Sequence, residues 1–207
     1  MDGLAVTLST LDYAAVAVFG AAGALAAARA KRDFVTFCFF AAVTGVGGGT
    51  LRDLLIGAPV FWINEPTYLV VCIFAALAVW IFGGGTRRGR LLLWFDGLGM
   101  AAYASVGAMK AVSYHAPPLT AVLMGALTAA FGGVLRDVLA EEPSVLLRRD
   151  LYITPALVGA TTFVLLDMMN VPPFFAGVAG FVVGFLIRGG AILYGWQLPA
   201  FRGRAPD

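Results

Sequence analysis

The apolar run from Phe34 to Ala58 is long enough to cross a bilayer, yet its middle reads Gly45-Val46-Gly47-Gly48-Gly49-Thr50-Leu51-Arg52-Asp53. Inside hydrocarbon a chain must satisfy its own backbone hydrogen bonds, so only helices and closed barrels can span. Glycine is about 1 kcal/mol worse than alanine per helical residue, and four glycines in five positions predict a broken helix. Arg and Asp then follow while the run is still apolar, where a charge costs roughly 2.5–3.5 kcal/mol. The same string returns as Phe131-Gly132-Gly133-Val134-Leu135-Arg136-Asp137, with Arg136 84 residues after Arg52. A costly feature that recurs at a fixed spacing points to working machinery.

Composition sets the class. The 207 residues are 60% hydrophobic and 13% charged, against about 25% charged in a soluble domain. The sequence predicts an all-α integral membrane protein with seven spans: Leu11–Ala28, Phe34–Ala58, Thr67–Phe82, Leu91–Tyr114, Leu119–Ala140, Leu151–Met169 and Phe174–Ile187. The last can be extended into Ala191–Tyr194. Spans two and five are expected to be interrupted at their glycines. Turns between spans are short and leave little room for a soluble domain. Cys38 and Cys72 fall inside apolar runs and read as small core residues. The single histidine, His115, excludes a multi-histidine metal site. The start, Met1-Asp2-Gly3-Leu4, lacks the basic region of a cleaved signal peptide.

Basic residues set the orientation. Arg29, Lys31, Arg32, Arg87, Arg88, Arg90, Arg148, Arg149, Arg188, Arg202 and Arg204 fall in alternate loops and the tail, 11 of the 14 basic residues. The opposite loops carry Asp2, Glu65, His115 and Asp167. This predicts an inner membrane protein with its N-terminus outside and its C-terminus in the cytoplasm, which an odd number of spans permits.

Residues 12–78 slide onto 96–162 without a gap, and 17 of 67 positions are identical. Among them are Asp12/Asp96, Gly23/Gly107, Thr44/Thr128, Gly48/Gly132, Gly49/Gly133, Arg52/Arg136, Asp53/Asp137 and Tyr68/Tyr152. Each unit holds three spans, so the second copy enters the membrane from the opposite side. The expected organisation is an inverted repeat, about 11–82 and about 95–169, plus an extra helix at about 173–190. Transport folds use such repeats and place broken helices near the midplane.

The candidate site follows from that symmetry. Carbonyls freed at Thr44, Gly45, Gly47, Gly48 and Gly49, and at Thr128, Gly132 and Gly133, could replace water around a cation. The plainer reading is that the glycines allow close helix packing. Arg52 and Arg136 need partners. Asp53 and Asp137 are adjacent and point about 100° away on a helix, so Asp12 and Asp96 are the better candidates. Those pairs would be helix staples, gates or both. Lys110, whose repeat mate is Ala26, either snorkels to the interface or faces the path as a movable plug.

Other motifs carry less. Gly45–Thr50 lacks the third glycine and the βαβ context of a dinucleotide fingerprint. There is no nucleophile–base arrangement, phosphate loop or metal spacing, so neither an enzyme nor a cofactor nor nucleic-acid binding is expected. Gly83-Gly84-Gly85 reads as a loop. Gly180-Phe181-Val182-Val183-Gly184 suits a close helix contact.

The duplicated Gly-Gly-x-Leu-Arg-Asp element, the 3 + 3 + 1 layout and the length resemble the prokaryotic trimeric intracellular cation (TRIC) channels, over about residues 10–190. That resemblance implies a homotrimer in membrane lipid, with one ion path per protomer between spans one, two, four and five. It implies kinks at Gly47–Gly49 and Gly132–Gly133. The eukaryotic branch carries further charged motifs that have no place here, so its lipid regulation does not transfer. The expected function is passage of monovalent cations, K⁺ and Na⁺. The alternative is secondary transport of a small amino acid such as glycine, since the wider bacterial group includes proteins labelled glycine transporters. A third class, a membrane protein with no conductance, is disfavoured by the broken helices. Few polar side chains are available to recognise an amino acid, whereas backbone carbonyls can serve a cation.

Overall fold

A computed structural model describes residues 3–83, 88–147 and 151–199; side chains are described from Asp12 to Gly83, from Gly89 to Leu146 and from Leu151 to Pro199. All regular structure among them is helical apart from an isolated bridge residue. The helices are α1 (Gly3–Arg29), α2 (Phe34–Leu55), α3 (Phe61–Asn64), α4 (Thr67–Phe82), α5 (Arg88–Ser113), α6 (Pro118–Leu139), α7 (Ile153–Met168) and α8 (Pro173–Tyr194). A single 3₁₀ turn, Val145–Leu147, precedes α7. Gly84, Gly85, Arg87, Arg148, Arg149, Arg202 and Arg204 lie outside the described residues, as does the side chain of Arg88, so the basic loops built on them are not described.

Helix starts follow local chemistry. Asp33 caps α2, accepting from the backbone N–H of Thr36 at 2.9 Å and from its hydroxyl at 3.0 Å. Those hydrogen bonds, the backbone one first, hold the Asp33 carboxyl below its ordinary range. Pro118 and Pro173 open α6 and α8, where their fixed φ fits and no N–H is needed. Four of the helices, Phe34–Leu55, Gly89–Ser113, Pro118–Leu139 and Pro173–Tyr194, are long and apolar enough to cross a membrane. The 16 residues of α4 and of α7 would each extend only about 24 Å.

The expected breaks in spans two and five are corrected here. Both α2 and α6 are α-helical from end to end, straight through Gly45–Thr50 and Gly132-Gly133. The glycines serve close packing instead. A Cβ on Gly48 would overlap the carbonyl oxygen of Thr128, and one on Gly132 would overlap that of Thr44. Residue 44 therefore faces 132 while 48 faces 128, so the two helices cross antiparallel with their backbones in contact. Each glycine costs about 1 kcal/mol of helix propensity, and the close backbone approach it permits returns dispersion contacts.

Around that crossing, α1 packs on α2, α4 and α5, and α5 packs on α6, α7 and α8. Phe19 of α1 stacks on Tyr103 of α5, ring centroids 5.3 Å apart, in the buried centre. The Tyr103 hydroxyl donates to the Gly45 carbonyl at 2.8 Å. Phe19 and Tyr103 are themselves 84 positions apart. The same spacing appears in the backbone. Lys31 and His115 both leave helices at positive φ, 53° and 59°, as do Gly57 and Glu141 at 69° and 55°. The sole histidine is therefore an exposed helix-exit residue. Outside, Phe39, Phe74, Leu119 and Leu186 present an apolar surface.

The crossing yields a sharp expectation. Gly48→Ala should destabilise the protein by about 1–3 kcal/mol, the usual cost of overpacking, because the contact below it is rigid backbone. Gly57→Ala should cost less, since only its positive φ resists and its Cβ would meet nothing within 4 Å. Thermal unfolding in detergent measures both; a Gly48→Ala protein that melts with the parent would refute the contact.

Candidate functional site

Two clusters of buried charge flank the α2/α6 crossing. Arg52 and Arg136 each stand about six residues beyond the contact on their own helix, about 9 Å along the axis. The helices are antiparallel, so the clusters lie on opposite sides of it. Among the described residues the buried charged side chains are Asp12, Asp53, Asp96, Asp137, Arg52, Arg136 and Arg188. A buried ion must be paired and hydrogen-bonded to be tolerated, and the partners of each decide what it can do.

In the first cluster, Arg52 Nε donates to Asp53 Oδ1 at 2.9 Å. Asp53 Oδ2 accepts from the Phe61 backbone N–H at 3.0 Å and from Lys110 Nζ at 2.9 Å. Asp12 Oδ1 stands 3.9 Å from Arg52 Nη1, an ion pair without a hydrogen bond. Neither Arg52 Nη1 nor Nη2 has a hydrogen-bond partner. The Arg52 guanidinium and the Lys110 ammonium lie 5.8 Å and 5.6 Å from the centre of the Phe61 ring. Gly49 lies beneath that ring.

The second cluster repeats the pattern more tightly. Arg136 Nε and Nη2 donate to Asp137 Oδ1 at 2.9 Å and 2.7 Å, and Nη1 donates to Asp96 Oδ1 at 2.5 Å. Asp137 Oδ2 accepts from the Val145 backbone N–H at 2.8 Å. Val145 is the repeat position of Phe61, so a backbone amide fixes both carboxylates in the same way. Gly133 leaves the space in which Tyr152, Asp96 and Arg136 converge: a Cβ there would lie 2.5 Å from Tyr152 Oη, 3.2 Å from Asp96 Oδ1 and 3.7 Å from Arg136 Nη2.

Three expectations change. The adjacent aspartates, set aside because they point about 100° away, are direct partners of both arginines; the flexible arginine stem bends back, and the amide of Phe61 or Val145 turns the carboxylate to meet it. Lys110 does not snorkel. Its side chain is 15% exposed and its ammonium is paired with Asp53. Arg188, counted as a tail residue, lies within α8 and is 1% exposed. The sequence offered a partial signal, since apolar Ala191-Ile192-Leu193 continues the run beyond it, but not enough to tell a buried charge from one at the membrane edge.

The crossing also holds polar groups. Thr128 Oγ1 donates to the Met124 carbonyl at 2.6 Å, whereas Thr44 Oγ1 is buried without a partner. The remaining glycines meet different neighbours: Gly45 faces Cys72 Sγ and the Val16 carbonyl, and Gly47 receives the side chain of Leu135. Cys38 and Cys72 are free thiols.

A family model described as glycine transporter matches the chain twice, at residues 9–84 and 93–168. The inner membrane protein YadS of Escherichia coli strain K12, assigned to the group UPF0126, is 37% identical over 198 residues, covering 92% of this chain and 94% of that one. A UPF0126 membrane protein of Vibrio cholerae is 37% identical over 201 residues, covering 94% and 82%. Among solved structures, the TRIC trimeric intracellular cation channel orthologue from Rhodobacter sphaeroides is 43% identical, with a TM-score of 0.88 over 91% of this chain and 98% of that one. A prokaryotic TRIC channel in 0.5 M KCl is 26% identical, with a TM-score of 0.85 over 92% and 98%.

The two clusters should differ in measured coupling. In double-mutant cycles on unfolding, Asp96→Asn with Arg136→Gln should couple by about 1–3 kcal/mol. Asp12→Asn with Arg52→Gln should couple by less than about 1 kcal/mol, because the 3.9 Å pair makes no hydrogen bond. Equal coupling in the two cycles would contradict the geometry.

Proposed function

The chain belongs to the trimeric intracellular cation (TRIC) channel family, which the glycine transporter model also matches, and we propose that it conducts K⁺ and Na⁺ through a path in each protomer of a homotrimer. The carrying observation is the pair of charged clusters on either side of the α2/α6 crossing. Each joins a repeat-related arginine to two carboxylates within a bundle whose core is mostly apolar. Such groups are expensive in a membrane and characteristically line a water-filled or ion-conducting route. The path runs between α1, α2, α5 and α6. Its narrowest part is the glycine crossing, where the Thr44 hydroxyl and nearby carbonyls can replace part of an ion's hydration.

Seven spans carry this arrangement: α1, α2, α4, α5, α6, α7 and α8, with α4 and α7 the short ones. The units at about 11–82 and about 95–169 form an inverted repeat, and α8 is the additional helix. Support comes from the recurrence of the Asp-to-amide bond, the stacked Phe19–Tyr103 pair and the positive-φ exits at the same spacing. With the N-terminus outside, the Arg52 cluster is the outer one and the Arg136 cluster the inner one. Arg52, Asp53, Asp12 and Lys110 control the outer end; Arg136, Asp137 and Asp96 control the inner end. The apolar outer surface faces membrane lipid.

The alternative, a carrier for a small amino acid such as glycine, draws on the family model's description. A zwitterion needs a carboxylate-binding and an ammonium-binding group side by side in an accessible cavity. The charged groups here are buried and largely paired with each other, which favours the channel.

Purified protein in liposomes with a K⁺ gradient should pass K⁺ without added glycine, and single-channel recording should show discrete openings. Saturable glycine uptake with no ionic steps would reverse the assignment. Lys110→Ala should raise cation current or flatten its voltage dependence, since a full crossing of the field changes a charge's energy by about 2.3 kcal/mol per 100 mV. Lys110→Arg should preserve both. A Lys110→Ala channel with the parent's current at every voltage would remove Lys110 from the gate. A reporter fused after Arg204 should be active only in the cytoplasm; a periplasmic signal would invert the topology.

A further inference from the structure

Arg188 is a fully buried charge that the repeat does not account for. It sits on α8, about six residues before the helix ends at Tyr194, and is 1% exposed. One terminal nitrogen, Nη1, donates to the Leu151 carbonyl at 2.7 Å. Its guanidinium carbon lies 5.1 Å from the centre of the Tyr152 ring. Nε and Nη2 have no partner. The stem presses on Gly97, where a Cβ would meet Cγ at 3.0 Å and Nε at 3.9 Å. Gly97 adjoins Asp96, and Tyr152 places its hydroxyl in the pocket shared by Asp96, Arg136 and Gly133. Asp96 Oδ2 and Tyr152 Oη are likewise buried without partners.

Charge counting explains why a cation belongs there. Each repeat supplies two aspartates and one arginine, leaving each cluster one negative charge in excess. A buried excess charge is not tolerated without compensation. At the outer cluster the compensating cation is Lys110, bonded to Asp53 at 2.9 Å. The repeat mate of Lys110 is Ala26, so the inner cluster has no equivalent within the duplicated units. Arg188 is the buried cation on a neighbouring helix, and it still has donors unused.

We propose that Arg188 is the inner counterpart of Lys110, a tethered cation from α8 that neutralises the Asp96–Arg136–Asp137 cluster and that a permeant cation must displace or pass. This role presupposes that the protein is a channel. It gives the extra helix a function: α8 brings to the inner end the positive charge that α5 brings to the outer end. The unused oxygens of Asp96 and Tyr152 are what a monovalent cation would meet when the guanidinium moves aside.

The test compares Arg188→Gln, Arg188→Lys and Lys110→Gln as purified trimers in planar bilayers with KCl on both sides. Removing a positive charge from one end of a narrow path favours cation entry from that end. Arg188→Gln and Lys110→Gln should therefore shift the ratio of currents at opposite voltages in opposite directions, each by about twofold to tenfold, while Arg188→Lys keeps the parent's ratio. An unchanged ratio in Arg188→Gln, or a shift in the same direction as Lys110→Gln, would overturn the proposal. Should Arg188→Gln fail to assemble, Asp96→Asn in the same chain restores neutrality and should recover the trimer and most of the melting temperature; no recovery would overturn it as well. Absence of K⁺ current in the parent would defeat the channel reading, and the melting rescue would then still decide the charge pairing.

Discussion

Charges buried inside the helix bundle govern the architecture. Arg52 and Arg136 are each fully enclosed by helices, and each finds an aspartate on the next residue and another on a neighbouring helix. An arginine left alone in such a place would be far costlier than any single packing defect. The helices must therefore converge where their carboxylates can reach the guanidinium. α1 delivers Asp12, α5 delivers Asp96, and the short helical segments before α4 and α7 deliver the backbone amides of Phe61 and Val145.

Convergence requires backbones to approach, which the glycines permit. At the α2/α6 crossing a single methyl group would overlap a carbonyl oxygen from either side. The helical hydrogen bonds stay intact, so the crossing is held by dispersion and shape rather than by freed backbone groups. The Tyr103 hydroxyl on the Gly45 carbonyl ties α5 to α2 beside the pinch.

Departures from the repeat locate what distinguishes its two ends. Leu135 fills the notch at Gly47, while the equivalent position to Gly47 is the bulky Phe131. Thr128 bonds back to its own helix and Thr44 does not. The Arg52–Asp12 contact is long and the Arg136–Asp96 contact is short. The Arg52 cluster takes its second cation, Lys110, from α5, within the repeat, and the Arg136 cluster has Arg188 of α8 beside it.

The sequence by itself determined the helical class, the duplication and the residues of both clusters. Continuous apolar runs of about 20 residues fit helices rather than the alternating strands of a barrel, and a costly Arg-Asp pair that appears twice marks its own position. Most helix ends fall within a few residues of the expected spans, those next to Asp33 and the prolines among them, because such signals act locally; α1 is the exception, starting at Gly3 rather than Leu11. Tertiary structure alone decided what the glycines do. Helix propensity scores each glycine as a loss, but that score omits the dispersion between backbones where Gly48 meets Thr128 and Gly132 meets Thr44. The partners of Asp53 were likewise undetermined, since Phe61, Lys110 and Arg52 meet only after three elements have packed. Arg188 was the plainest case. Its position near the end of an apolar run reads equally as a membrane-edge charge or a buried one, and only the packing of α8 against α5 and α7 put it inside.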